Sequence, residues 1–99
     1  MITVRIKKDV ITISGHAGYA NFGKDIVCAA ASSIVITTVN ACERLKHGSL
    51  KVVEDKDLLT INILNNDRDI NTLIINMTEL LKELAVDYPK NIKVLKEEE

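Results

Sequence analysis

Residues 26–42 read IVCAAASSIVITTVNAC, seventeen positions without a charge, and three structures compete for them. The β-branched run from Ile34 to Val39 suits a strand, and the absence of charge suits a bilayer. Seventeen residues is too long for an ordinary strand and sits at the lower limit for a membrane span, while Ser32, Ser33, Thr37, Thr38 and Asn40 make the stretch too polar for hydrocarbon. A helix packed against a sheet fits best. Asp25 is the expected N-cap, and Gly48 suits the left-handed residue that closes a helix C-terminus, so the spacing predicts a helix from about Ile26 to Lys46.

Working outward, the period switches between two and 3.6 in an orderly way. Ile2, Val4 and Ile6 alternate with polar residues, and Val10–Ser14 alternates again after Lys7-Lys8-Asp9, which predicts a hairpin. Leu50–Glu54 and Leu58–Leu64 form a second hairpin around Asp55, Lys56 and Asp57. Ile70, Leu73, Ile74, Met77, Leu80, Leu81 and Leu84 recur at helical spacing, so a second helix starts near Asp67 or Asp69 and stops at Tyr88-Pro89. Asn91–Leu95 reads as a last short strand, and residues 96–99 (KEEE) as a frayed tail. The order is ββαββαβ. It predicts an α+β fold, a two-layer sandwich of two helices on a mainly antiparallel or mixed sheet, in one domain spanning residues 1–99.

Bulk properties narrow the function. Thirteen basic residues against fourteen acidic ones leave no electrostatic footprint for nucleic acid, and three aromatics offer little for stacking bases. Met1 leads directly into the first strand pattern with no signal or transit segment, so the expected location is the cytoplasm, away from any membrane.

The chemistry concentrates in residues 15–28, GHAGYANFGKDIVC, which hold three of the four glycines. Gly18–Lys24 has the G-x-x-x-x-G-K frame of a phosphate loop between a strand and a helix. The next residue should be a magnesium-binding Ser or Thr, and it is Asp25, a carboxylate that would repel phosphate. A hairpin feeding one helix also lacks the parallel sheet that surrounds such loops. The alternative is a thiol site. With Asp25 as N-cap, Cys28 occupies the third helical position, where unpaired N–H groups and the helix dipole stabilise a thiolate. His16, at the end of the preceding strand, can take the thiol proton if the loop folds back, and the N–H groups of Cys28 and Ala29 would face the developing oxyanion. Ser32 lies one turn beyond Cys28 on the same face. The other reading of Cys28 is a small core residue. Cys42 takes that reading outright, being fourteen residues along the same helix, roughly 21 Å away and beyond disulfide reach. His47 most simply caps the helix C-terminus. Two Cys and two His at spacings of twelve, fourteen and five residues match no common zinc module, so no metal and no cofactor is expected.

Gly15-His16-Ala17, Gly23, Asp25-Ile26-Val27-Cys28-Ala29-Ala30 and Ser32 together resemble the signature of the Prp family, the bacterial ribosomal-processing cysteine proteases. The signature covers about a fifth of the chain, and the length and element order agree over the rest. The resemblance implies a small cytoplasmic homodimer that removes a short N-terminal extension from the large-subunit ribosomal protein numbered twenty-seven. It makes Cys28 the nucleophile and His16 the base, with Asp25 and Ser32 in supporting positions. Ala20 departs from the glycine expected in close relatives, which would stiffen the loop without touching the pair. The substrates implied carry bulky apolar residues, often paired phenylalanines, before the cut. A loop with Gly18 and Gly23 as pivots and Tyr19 and Phe22 folding over an extended peptide suits them. The alternative is a non-catalytic ribosome-associated binding module on the same fold, and the presence of both Cys28 and His16 argues for the enzyme.

Overall fold

The computed structural model describes residues 1–15 and 22–97, with residues 22–25 described by their backbone alone. Strands β1 (Ile2–Lys7) and β2 (Val10–Ser14) form the first hairpin, α1 (Phe22–Leu45) follows, β3 (Leu50–Asp55) and β4 (Leu58–Ile63) form the second hairpin, and α2 (Arg68–Asp87) leads into β5 (Ile92–Lys96). The ββαββαβ order is as the periodicity predicts. Each hairpin turns on a residue in the left-handed region, Asp9 at φ 64° and Lys56 at φ 53°.

The five strands lie in the order β3-β4-β2-β1-β5. Every pairing is antiparallel except that of β1 with β5, so the sheet is mixed. Alternation sends one set of side chains to the helices: Val4, Ile11, Ile13, Ile61 and Ile92 are buried there. The opposite face carries Arg5, Lys7, Lys51 and Lys93 and is left to solvent.

Helix α2 buries Ile70, Ile74, Met77, Thr78 and Leu81, one stripe at three- and four-residue steps, against α1 and β5. Asp67 is its N-cap, with Oδ1 accepting from the N–H groups of Asp69 at 2.7 Å and Ile70 at 3.4 Å. Helix α1 contributes Val27, Ala31, Val35, Thr38 and Cys42 to the same core. By length and composition it could cross a membrane, with a mean hydropathy of 1.6 over Ile26–Leu45; its buried stripe is the signature of a core helix. Thr38 bonds back to the Ile34 carbonyl at 2.9 Å, so its buried hydroxyl is satisfied within the helix. Gly48, at φ 82°, ends the helical path as predicted.

Most boundaries fall within a residue of the sequence reading, and two differences bear on the site and the sheet edge. Helix α1 begins at Phe22, so Asp25 lies inside the first turns and is not the N-cap. The tail is ordered through Glu97: Lys96 belongs to β5, the Glu97 N–H bonds to the Ile6 carbonyl at 2.8 Å, and its carboxylate meets Arg5 at 2.6 Å. Those bonds extend the β5 edge by one residue past where four consecutive charges suggested fraying.

Candidate active site

Cys28 sits on α1, half-buried and packed against the core, in no disulfide. Because the helix starts at Phe22, Cys28 is its seventh residue and not its third. This changes the local electrostatics. The unpaired N–H groups of a helix are its first four, and its dipole acts chiefly over the first turn. Cys28 lies beyond both. Its own N–H and that of Ala29 point along the helix to the carbonyls of residues 24 and 25, as α-helical geometry requires, so they are committed to the helix and not to an oxyanion. The early start escaped the sequence reading because Gly23 looks like loop punctuation, although a glycine in a first turn costs only about 1 kcal/mol.

Ser32 lies one turn after Cys28 and is half-buried, as the spacing predicts. Phe22 and Gly23, expected in the substrate loop, belong to the backbone of α1's first turn, and Asp25 follows them in the helix. His16, Gly18 and Tyr19 lie outside the described residues. The strand leading into that segment is well anchored: the Gly15 N–H bonds to the Asp57 carbonyl at 3.1 Å, and Ser14 pairs with Thr3 and Leu58.

A groove of about 260 Å³ opens beside this part of α1. Ala31, Ser32, Val35, Ile36, Val39 and Asn40 form its helical wall. Ile13 of β2, Leu59 of β4, and Val52 and Glu54 of β3 form its floor. It exists because the helices cover the sheet unevenly. Alternation turns Val52 and Glu54 to the helix side, opposite Ile61 and Leu59, but α1 touches β3 only lightly, and Val52 stays 40% exposed. The sequence reading missed this groove. Its one available signal was the glutamate at an inward-facing position of β3, where a covered strand would carry an apolar residue.

The groove is lined by residues close in sequence to the two candidate residues. Ile13 and Ala31 line the same space; His16 follows Ile13 by three residues and Cys28 precedes Ala31 by three. The other cysteine and histidine are elsewhere. Cys42 is fully buried at the far end of α1, where desolvation, and then the neighbouring Glu43 carboxylate, push its thiol pKa up. The Ser49 hydroxyl donates to its carbonyl at 3.2 Å. The His47 side chain is almost wholly exposed, with Nδ1 3.4 Å from Glu43. Neither has the surroundings of a nucleophile or its base.

The family model described as cysteine protease Prp matches residues 1–93. The chain belongs to the Prp family of cysteine proteases. The ribosomal processing cysteine protease Prp of Mycoplasma genitalium is 32% identical over 99 residues, covering 98% of this chain and 97% of that protein. The crystal structure of the S. aureus ribosomal processing protease Prp with a substrate peptide superposes with a TM-score of 0.89 at 25% identity, covering 98% of this chain and all of the other. The same S. aureus protease with a covalently linked product peptide gives a TM-score of 0.87 at 26% identity, again over 98% of this chain and all of that one. The α+β fold is thus the Prp fold.

Proposed function

We propose that this chain is an endopeptidase that removes a short N-terminal extension from a ribosomal protein, the one numbered twenty-seven in the large subunit. Cys28 is the nucleophile, His16 the base, and Asp25 and Ser32 support them. The observation that supports this reading is that Ile13 and Ala31 line one groove, with His16 three residues after the first and Cys28 three residues before the second in the sequence. Ribosomal processing by the relatives, and the peptide complexes of the S. aureus protein, support the substrate class and a covalent route.

The chemistry follows from the two side chains. His16 takes the Cys28 proton, and the thiolate sulfur attacks the scissile carbonyl carbon, moving the carbonyl electrons onto oxygen. Collapse of that adduct expels the amine of the downstream product, which takes the proton from His16, and leaves the upstream peptide as a thioester on Cys28. His16 then removes a proton from water, the hydroxide adds to the thioester, and thiolate departs to regenerate the enzyme. The oxyanion donors are groups other than the helix-bound N–H groups of Cys28 and Ala29.

We further propose that the enzyme works as a cytoplasmic homodimer. Its outward helix face away from the groove, from Ile26 through Ala29 and Ser33 to Thr37, is uncharged and exposed, with Ile26 62% exposed, which suits contact with a second copy.

Incubation with the full-length ribosomal-protein precursor and mass measurement of the products tests the assignment. A single cut that removes the extension, absent with Cys28→Ala and Cys28→Ser, is the expected result. An uncut precursor that nonetheless binds tightly would identify a binding module and overturn the enzymatic reading.

A further inference from the structure

We propose that Glu54 makes the groove beside α1 a subsite for a basic side chain of the peptide substrate, placed close to the scissile bond. The inference rests on the proteolytic reading for the identity of the occupant, and on the groove's own geometry for its chemistry.

Among the described residues lining the groove, Glu54 is the only one that carries a charge. The rest of the lining is aliphatic apart from Ser32 and Asn40. No described residue forms an ion pair with Glu54. Glu54 is exposed at the rim of this otherwise apolar groove, and a peptide laid along the groove would cover it. The carboxylate therefore calls for a cation from the ligand, since a neutral or acidic side chain there would leave it unbalanced as water is displaced.

Register fixes where that cation lies. Ile13 pairs with Leu59, and Leu59 with Glu54, so the three form one row across β2, β4 and β3. That row is at the end of β2 from which the chain leaves through Ser14 and Gly15 toward His16, the same end at which Ala31 and Ser32 stand one turn from Cys28. The next row, Ile11, Ile61 and Val52, leads away from the thiol. Along α1 the groove runs from residue 31 to residue 40, roughly 14 Å, which is room for about four extended residues. An extended peptide crossing Cys28 therefore lays its apolar side chains against Val35, Val39 and Val52, and presents one Lys or Arg to Glu54 within a few residues of the cut.

Peptide binding to the Cys28→Ala protein, followed by fluorescence anisotropy, separates this from catalysis. The probes are ten-residue apolar peptides in which a single Lys, Gln or Glu is walked along the sequence. At one position Lys should bind at least about tenfold more tightly than Gln, and Glu more weakly than either, as expected for a charge-assisted contact. In Cys28→Ala/Glu54→Lys the order at that position should invert, with Glu preferred. If that variant does not fold, Glu54→Gln should bring the three peptides to near-equal affinity. An unchanged rank order in both variants, or no position that prefers Lys, overturns the proposal. So does failure of every peptide to bind together with self-association that Val52→Glu abolishes, which would give the groove to a second copy. Cleavage by the wild-type protein is scored separately. No cleavage with the Glu54-dependent preference intact sinks the protease reading and keeps the subsite; cleavage without charge preference does the reverse.

Discussion

Gly15 closes β2 directly against the backbone of Met1: a Cβ placed on Gly15 would overlap the Met1 carbonyl oxygen, and its φ of +83° is one that side-chain-bearing residues rarely adopt. The Met1 carbonyl has little room to withdraw, because the next residue, Ile2, is buried and its N–H bonds to the Asn91 carbonyl at 2.8 Å. Gly15→Ala should therefore destabilise the fold by about 2 kcal/mol or more, combining left-handed strain with backbone overlap. Urea unfolding should show a lower midpoint with an unchanged slope. Because the strain sits beside His16, proteolysis should fall by more than the unfolded fraction explains. An alanine variant with wild-type stability would mean that the β1 end yields freely.

Asp67 ties the two helices together, capping α2 while its Oδ2 lies 3.2 Å from Lys46 at the end of α1. The Asp69 N–H, and then the Lys46 ammonium, hold its carboxyl below the usual carboxylate range. The folded pKa is thus lower than the unfolded one, so its contribution is complete above the unfolded value of about 3.9 and is lost as pH falls through the folded value. Thermal melts of wild type and Asp67→Ala should differ at pH 7 and converge as the solution is taken below about pH 4. Asp67→Asn retains the capping oxygen without the charge. It should fall between the two at pH 7 and show less of the acid-dependent loss.

Lys56 turns the second hairpin at φ 53°, where a side chain without local hydrogen-bonding capacity is strained. Lys56→Asn should raise stability by about 0.5–1 kcal/mol, since asparagine tolerates this region. A higher urea midpoint with unchanged proteolysis is the expected outcome, as the turn is formed by residues outside the groove lining.

What the sequence made legible is what local periodicity encodes. The alternation of Ile2, Val4 and Ile6 and the stripe Ile70, Ile74, Met77 and Leu81 each place a face inward, and the structure buries most of both. The order β3-β4-β2-β1-β5 depends on pairings between distant segments, such as β1 with β5, that no local period records. The same limit hid the groove. Val52 reads as core by alternation, and only the position of α1 over the sheet decides that it stays partly open. Cys28 and Ser32 were legible as one helix face, whereas the helix start was not, because Phe22-Gly23-Lys24 carries no local sign that distinguishes a first turn from a glycine loop.

The two cysteines should separate cleanly by chemistry. Cys42 is fully buried, with its thiol pKa pushed up, so alkylation there must wait for local opening. Cys28 is half-buried beside an open groove. Brief iodoacetamide treatment of the native protein, read by peptide mass mapping, should label Cys28 well before Cys42 and abolish proteolysis in parallel. Cys28→Ala should lower turnover by about a thousandfold or more while costing about 1 kcal/mol or less in stability. Equal labelling of both thiols in the native state would show that Cys28 has no special reactivity.

The two histidines should separate as well. His47 stands nineteen residues after Cys28, roughly 28 Å along α1 and the segment that follows it. Its side chain is 98% exposed, and its described partner is Glu43. It cannot reach the thiol of its own chain, and His47→Ala should leave turnover within about twofold of wild type. With His16 as the proposed base, His16→Ala should reduce turnover by roughly 10²–10⁴-fold, the span expected for loss of a general base. Both variants should melt near the wild-type temperature, which makes the activity ratio a direct reading of proton transfer. Full activity in His16→Ala would remove it from the reaction and send the search for the base to the remaining residues of segment 16–25.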